Sequence, residues 1–160
     1  MDLKRIADES KNGIVETYIY DNGQLKSRAL LKDGKHNGLY ETWYESGQLM
    51  VGSNYRNDKL NGLYETWYEN GQIKLRTLFK GGKFNGLHET WYENGHLRVR
   101  GFSKGGKLNG LRETYYDNGQ LESRTNYKDG KLEGLYESWY ENGKPMESAM
   151  YKDGVKRNNL

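Results

Sequence analysis

The 160-residue chain has no cysteine and a single proline, Pro145. The first absence removes disulfides, thiolate metal sites and cysteine nucleophiles together. Long hydrophobic runs are missing too. No stretch approaches the ~18 apolar residues of a membrane-spanning helix, and no apolar run of the secretory kind follows Lys4 and Arg5. A cytoplasmic location is therefore expected. Leu, Ile, Val and Phe make up only 29 of 160 residues, too few for the continuous Val/Ile/Leu strands of a parallel α/β core. An excess of one charge sign is also lacking, with 25 basic and 22 acidic residues giving +3. Disordered chains combine high net charge with few aromatics, whereas here 21 of 160 residues are aromatic. The length is that of one domain.

What is present is a period. Gly23, Gly47, Gly71, Gly95, Gly119 and Gly143 recur every 24 residues, as do Gly38, Gly62, Gly86, Gly110 and Gly134. A third series runs Gly34, Gly82, Gly106, Gly130 and Gly154, with Asp58 as its exception. Trp43, Trp67, Trp91, Tyr115 and Trp139 keep the same step, each followed by a tyrosine. A repeat of this length identifies one supersecondary unit stacked along the chain. Each unit carries two strand-like stretches around Asn-Gly, the strongest short-range hairpin signal. The fold class expected is all-β: an elongated single-layer antiparallel β-meander of about six 24-residue hairpin repeats and about twelve strands. Residues 1–12 read as an N-terminal cap, a half-repeat or short helix, residues 13–154 as the array, and residues 155–160 as a tail with a degenerate last strand. In the first unit Gly13 stands ten residues before Gly23 where later units have nine, and Ile19 replaces Trp, which suggests a bulge in a capping unit.

A two-residue Asn-Gly turn would set Glu65 opposite Arg76, Glu89 opposite Arg100, Glu113 opposite Arg124 and Trp67 opposite Lys74. The charge pairs are worth about 0.2–1 kcal/mol each. A three-residue loop with a bulged glycine would instead set Glu65 opposite Leu75; the two-residue turn is preferred. It places Tyr68, Ile73, Leu75 and Phe79 on the better-buried face and Trp67, Glu65, Lys74 and Arg76 on a wetter one.

The spacing Tyr127, Gly130, Gly134, Tyr140, Gly143, repeated along residues 13–154, resembles the MORN repeat, specifically the bacterial variant with Trp-Tyr-x-Asn-Gly at the hairpin turn. Where standard units carry a glycine two positions after the Gly134-type glycine, this chain has Tyr40, Tyr64, His88, Arg112 and Tyr136. The resemblance implies a single-layer β-array serving as a scaffold or binding surface, often dimeric. Lipid binding is claimed for some eukaryotic members, and many bacterial relatives carry an antitoxin label.

Enzyme signatures fail one by one. Of the three histidines, His36, His88 and His96, the last two flank one hairpin without a third ligand, stand at repeat positions held elsewhere by Tyr or Gln and read as surface substitutions. The carboxylates Glu41, Glu65, Glu89, Glu113 and Glu137 recur beside the same neighbours, the pattern of structural pairing and not of paired catalytic acids. Gly81-Gly82 and Gly105-Gly106 precede lysines without the helix of a phosphate-binding loop. No catalytic residue, cofactor or metal is expected.

Charge breaks the repeat. Residues 73–108 hold eight basic and two acidic residues, net +6, leaving −3 elsewhere. Lys74, Arg76, Arg98 and Arg100, with Trp43, Trp67, Trp91 and Tyr115, are the candidate partner-binding residues, since Trp with Arg is the composition of interface hot spots. Lys74, Arg98 and Arg100 are expected to be wet positions whose charge can be reversed without loss of fold. The expected function is a non-enzymatic scaffold for a protein partner, an acidic one included, of antitoxin or immunity type. The alternative is a module for membrane surfaces or anionic lipid. Homo-oligomers would form through the open sheet end, Ser148 to Lys152. Nucleic acid is not expected, for want of a recognition module.

Overall fold

The structure, a computed structural model, describes residues 4–10, by their backbone alone, and residues 13–157. All regular structure among them is β. The strands are β1 Lys4–Ser10, β2 Gly13–Ile19, β3 Leu25–Lys32, β4 Lys35–Trp43, β5 Leu49–Arg56, β6 Lys59–Trp67, β7 Ile73–Lys80, β8 Lys83–Trp91, β9 Leu97–Lys104, β10 Lys107–Tyr115, β11 Leu121–Lys128, β12 Lys131–Trp139, β13 Pro145–Lys152 and β14 Val155–Arg157. The chain divides into two units, Met1–Lys83 and Phe84–Leu160. Within each, sheet order follows chain order and neighbours are antiparallel, the meander that the repeat predicts. Strands β1 and β14 raise the twelve expected strands to fourteen, and β1 is extended where a short helix was one reading. Residues 1–3, 11, 12 and 158–160 of the expected cap and tail lie outside the described residues.

The two-residue turn expected at Asn-Gly stands instead at the other connection of the repeat. A two-residue turn matched to strand twist needs positive φ at both residues. That turn is found at Asp33-Gly34 (φ 53° and 71°), Asn57-Asp58 (49° and 61°) and Asp129-Gly130 (52° and 86°). At the Asn-Gly sites only the glycine is left-handed, Gly71 at 86°. There the Tyr68 amide donates to the Gln72 carbonyl at 2.8 Å, and the Gly71 amide donates to the Tyr68 carbonyl at 2.9 Å. This is the three-residue loop with a bulged glycine. The Asn70 Oδ1 accepts from the Gln72 amide at 2.9 Å and holds the bend.

That loop alone would have shifted the register by one. A second bulge restores it: Trp67 pairs with Ile73 but Thr66 with Leu75, so Lys74 is the extra residue and Glu65 faces Arg76 after all. Arg98 is the equivalent extra residue between Leu97 and Val99. Trp67 is thus opposite Ile73, not Lys74, and Ile73 shares the Trp67 side.

A further bulge seats the second glycine series. Leu31 pairs with His36 and Ala29 with Tyr40, leaving Asn37, Gly38 and Leu39 opposite Leu30 alone. Gly38 adopts φ 124°, and a Cβ there would lie 2.6 Å from Leu30 Cδ2. The β1–β2 hairpin runs in unbroken register from Lys4↔Ile19 to Ser10↔Gly13. The bulge expected of the capping unit is present in its own hairpin, where β2–β3 shifts between Tyr18 and Ile19, but the later repeats carry the same shift. At the far end, β14 pairs with Met150–Lys152, and Lys156 Nζ lies 2.7 Å from Glu147 Oε1. Part of the stretch expected to be an open edge is covered.

The buried face is built of small residues under aromatic rings. Ala29, Ser53 and Thr77 in the first unit and Gly101, Thr125 and Ala149 in the second recur at the 24-residue step. Ser53, 1% exposed, lies between Tyr40 on β4 and Tyr64 on β6. Tyr40 meets Tyr55 edge-to-face at 5.8 Å and Tyr64 meets Phe79 at 5.6 Å, a packing worth about 0.5–1.5 kcal/mol per pair beyond burial. The tyrosines that replace the family's glycine are the lids over these small residues. Burial raises the Tyr55 hydroxyl pKa above its ordinary value, helped by Tyr40 and Tyr64.

Candidate functional site

The opposite face, here the outer face, is left uncovered in each unit. Along each strand side chains alternate between faces, and register pairs share one, so the outer face consists of rows that cross the strands. In the second unit the row next to the two-residue turns is Lys104 opposite Lys107 and Lys128 opposite Lys131, all exposed. The next is apolar except for Asn126: Leu87 opposite Phe102, Leu111 opposite Asn126, Leu135 opposite Met150. Phe102 is 47% exposed and Leu111 44%. The first unit repeats this with Lys32 and Lys35, Arg56 and Lys59, then Leu39 opposite Asn54 and Leu63 opposite Leu78.

The third row alternates charge. Glu89, Arg100, Glu113, Arg124 and Glu137 are successive cross-strand neighbours on β8 to β12. Arg100 Nε lies 3.0 Å from Glu89 Oε1 and Arg124 Nε 3.2 Å from Glu113 Oε1. In the first unit Arg76 Nε is 2.7 Å from Glu65 Oε1 and Arg28 Nη2 2.6 Å from Glu41 Oε2. The carboxylates are covered and the guanidinium groups half in solvent: the Glu89 side chain is 10% exposed and that of Arg100 50%. Pairing across strands is as the charge pattern predicts, and it changes the reading of the basic patch. Arg76 and Arg100 are structural partners of Glu65 and Glu89. Reversing Arg100 would set like charges beside Glu89 and Glu113, so it is not a free wet position.

The aromatic row comes last, with Trp43, Trp67, Trp91 and Tyr115 all half-buried. Arg28 stands over the Trp43 ring at 5.7 Å, and a Cβ on Gly52 would lie 3.3 Å from the Trp67 indole. The indoles thus lean over the preceding strand. Tyr115 Oη donates to Glu113 Oε2 at 3.0 Å. Burial, that hydrogen bond and the Glu113 charge raise the Tyr115 pKa, against Arg100 and Arg124. Lys74 and Arg98, as bulge residues, reach different rings from those expected: Lys74 Nζ is 5.2 Å from the Tyr68 centroid and Arg98 Cζ 5.5 Å from that of Tyr92. Of the eight residues singled out by sequence, Trp43, Trp67, Lys74 and Arg76 lie in the first unit, and Trp91, Arg98, Arg100 and Tyr115 in the second.

The histidines divide. His36 Nδ1 lies 3.2 Å from Asp58 Oδ1 in a turn, and His96 Nδ1 2.6 Å from the Asp117 carbonyl. His88 is no surface substitution. It packs edge-to-face on Phe84 at 5.6 Å, its Nδ1 is buried without a partner, and burial, then Arg112, lowers its pKa.

Sequence reasoning missed the leucine row and the tyrosine staples. Leu39, Leu63, Leu87, Leu111 and Leu135 each follow a bulge glycine, a constant offset that could have placed them on one face. The tyrosine at this repeat position reaches the next repeat: Tyr20 Oη donates to the Trp43 carbonyl, Tyr92 Oη to that of Tyr115 and Tyr116 Oη to that of Trp139, at 2.8–2.9 Å.

The profile of the family described as MORN repeat variant matches five consecutive stretches, residues 37–57, 60–80, 84–104, 108–129 and 132–153. The first expected unit, from residue 13, lies outside the matches. No curated protein matches the chain.

Proposed function

The chain belongs to the MORN-repeat-variant family, a family linked to binding and scaffolding, and on that premise we propose that it is a non-enzymatic scaffold binding a protein partner through its outer face. The observation that carries this is the exposed row of Leu87, Phe102, Leu111, Leu135 and Met150 set between lysines and a charge-alternating row. Apolar groups in a contiguous exposed row lose free energy to water that a partner would recover at about 25 cal/mol per Å². The guanidinium groups of Arg76 in the first unit and Arg100 in the second stand half in solvent, where an acidic partner can meet them, and Trp43 and Trp67 beside the one and Trp91 and Tyr115 beside the other supply rigid contact area. Lys74 and Arg98 extend the positive charge over Tyr68 and Tyr92. A toxin neutralised in the cytoplasm is the finer form of this reading.

The lysine pairs favour a second reading. Like charges directly opposite one another cost stability, and Lys104 with Lys107 and Lys128 with Lys131 bear that cost beside exposed apolar groups. Cations flanking apolar side chains suit an anionic membrane surface. A photo-reactive residue at Leu111 separates the two. Crosslinks to a defined polypeptide in the native cell support the scaffold. Their absence, with co-sedimentation on phosphatidylserine vesicles, moves the assignment to the membrane. Neither result would leave the outer face without a role.

A further inference from the structure

The Asn-Gly turns share one backbone geometry but not one chemical environment. In each, the glycine amide donates to the tyrosine carbonyl three residues back: Gly23 to Tyr20, Gly95 to Tyr92, Gly119 to Tyr116 and Gly143 to Tyr140, at 2.8–2.9 Å. In each the asparagine Oδ1 accepts a backbone amide two residues on, at 2.9–3.0 Å. What differs is Nδ2. That of Asn22 donates to the Glu45 carbonyl at 3.1 Å, that of Asn94 to Asp117 at 2.9 Å and that of Asn118 to Glu141 at 3.1 Å, each one repeat further along the chain. Asn142 stands in the last such turn. It lies between β12 and β13, and its Nδ2 has no partner among the described residues.

We propose that Asn142 is a site of spontaneous covalent modification, deamidating through a succinimide ahead of Asn22, Asn94 and Asn118. In this step the Gly143 amide nitrogen, its proton passing to water, attacks Cγ of Asn142. A new N–Cγ bond forms, the Cγ–Nδ2 bond breaks, and Nδ2 leaves as ammonia after taking up a proton. Water then opens the five-membered ring at either carbonyl, giving aspartate or, with the main chain rerouted through Cβ, isoaspartate. No oxidant or enzyme enters. Glycine leaves Cγ sterically open to attack. To reach that geometry the side-chain amide must leave its place in the turn. Asn22, Asn94 and Asn118 must release two hydrogen bonds, and Asn142 must release one. Its leaving nitrogen is also free to be protonated.

The modification would act on the last hairpin. Isoaspartate inserts a main-chain atom into a loop held by the Gly143 amide to the Tyr140 carbonyl at 2.8 Å and the Tyr140 amide to the Lys144 carbonyl at 2.8 Å. Aspartate keeps the loop and adds a charge beside Glu141.

The test is peptide mapping of the full-length protein by isoaspartate-resolving mass spectrometry during incubation in mildly alkaline buffer, native and in guanidinium chloride. In the native protein Asn142 is expected to convert roughly fivefold faster than Asn22, Asn94 and Asn118, the rate factor of one ordinary hydrogen bond. In denaturant, where no tether survives, the lead should vanish. Equal native rates at the four sites would overturn the proposal. So would a lead that persists in denaturant, which would trace it to the Lys144 that follows and not to the fold.

Discussion

Tyr44 Oη lies 2.9 Å from the carbonyl oxygen of Trp67 and donates to it, joining one repeat to the next. The tyrosine of the Trp-Tyr pair is thus spent on the backbone of its neighbour, while the tryptophan stays on the outer face. Replacing Tyr44 by Phe keeps the ring and removes the bond. The expected loss is about 1 kcal/mol, measured as a lower urea midpoint with unchanged slope. A neutral result would mean that the staple forms equally well through water.

Arg98 and Arg100 are two residues apart and should answer charge reversal differently. Arg98→Glu changes a bulge residue over the Tyr92 ring and is expected to shift stability by no more than about 1 kcal/mol. Arg100→Glu places a third carboxylate between Glu89 and Glu113 and is expected to cost more, because Glu89 is covered and loses its partner. Thermal melts of the two variants decide it, and equal losses would contradict the ladder.

Ser53 is closed in by Tyr40 and Tyr64. Ser53→Leu adds two side-chain heavy atoms in a row that holds only small side chains, at an expected cost of about 1–3 kcal/mol. A stable, well-folded leucine variant would show that the tyrosine lids move aside.

His88 supplies a pH signature. Its pKa is lowered from the ordinary 6.5 by burial first and Arg112 second, so below that value the unfolded chain binds the proton more readily than the folded one. Its contribution is fully present above 6.5 and is lost as the pH falls through the depressed folded value. His88→Tyr, the residue of three other repeats, should flatten the fall in urea stability between about pH 7.5 and about pH 5.5. An identical pH slope in the variant would show that His88 does not carry the effect.

The hairpins, their antiparallel order and the Glu65–Arg76 pairing were legible because a 24-residue glycine period admits little else. The turn types were not. Asn70-Gly71 and Asp33-Gly34 both pair a polar residue with a glycine, and only φ at the polar residue separates a bulged three-residue loop from a two-residue turn. The bulge at Lys74 cancels the shift from the loop, so the correct charge pairs follow from an incorrect turn. The small residues Ser53 and Thr77 of the first unit and Gly101 and Thr125 of the second hide because they share volume and not chemistry. The outer leucines hide for the opposite reason: leucine suggests a core, and here Leu87 is 44% exposed.

The central claim is that the outer face is left open for a partner, and the cross-strand pair Leu87 and Phe102 tests it most directly. The measurement is the dissociation constant, by calorimetry, of the polypeptide captured through Leu111, for the wild type and for the Leu87→Ser, Phe102→Ser variant. Both side chains are nearly half exposed, so the variant is expected to fold, losing about 1 kcal/mol per residue, while affinity falls at least ~tenfold, the equivalent of about 1.4 kcal/mol. A folded variant that binds the partner with unchanged affinity would contradict the account.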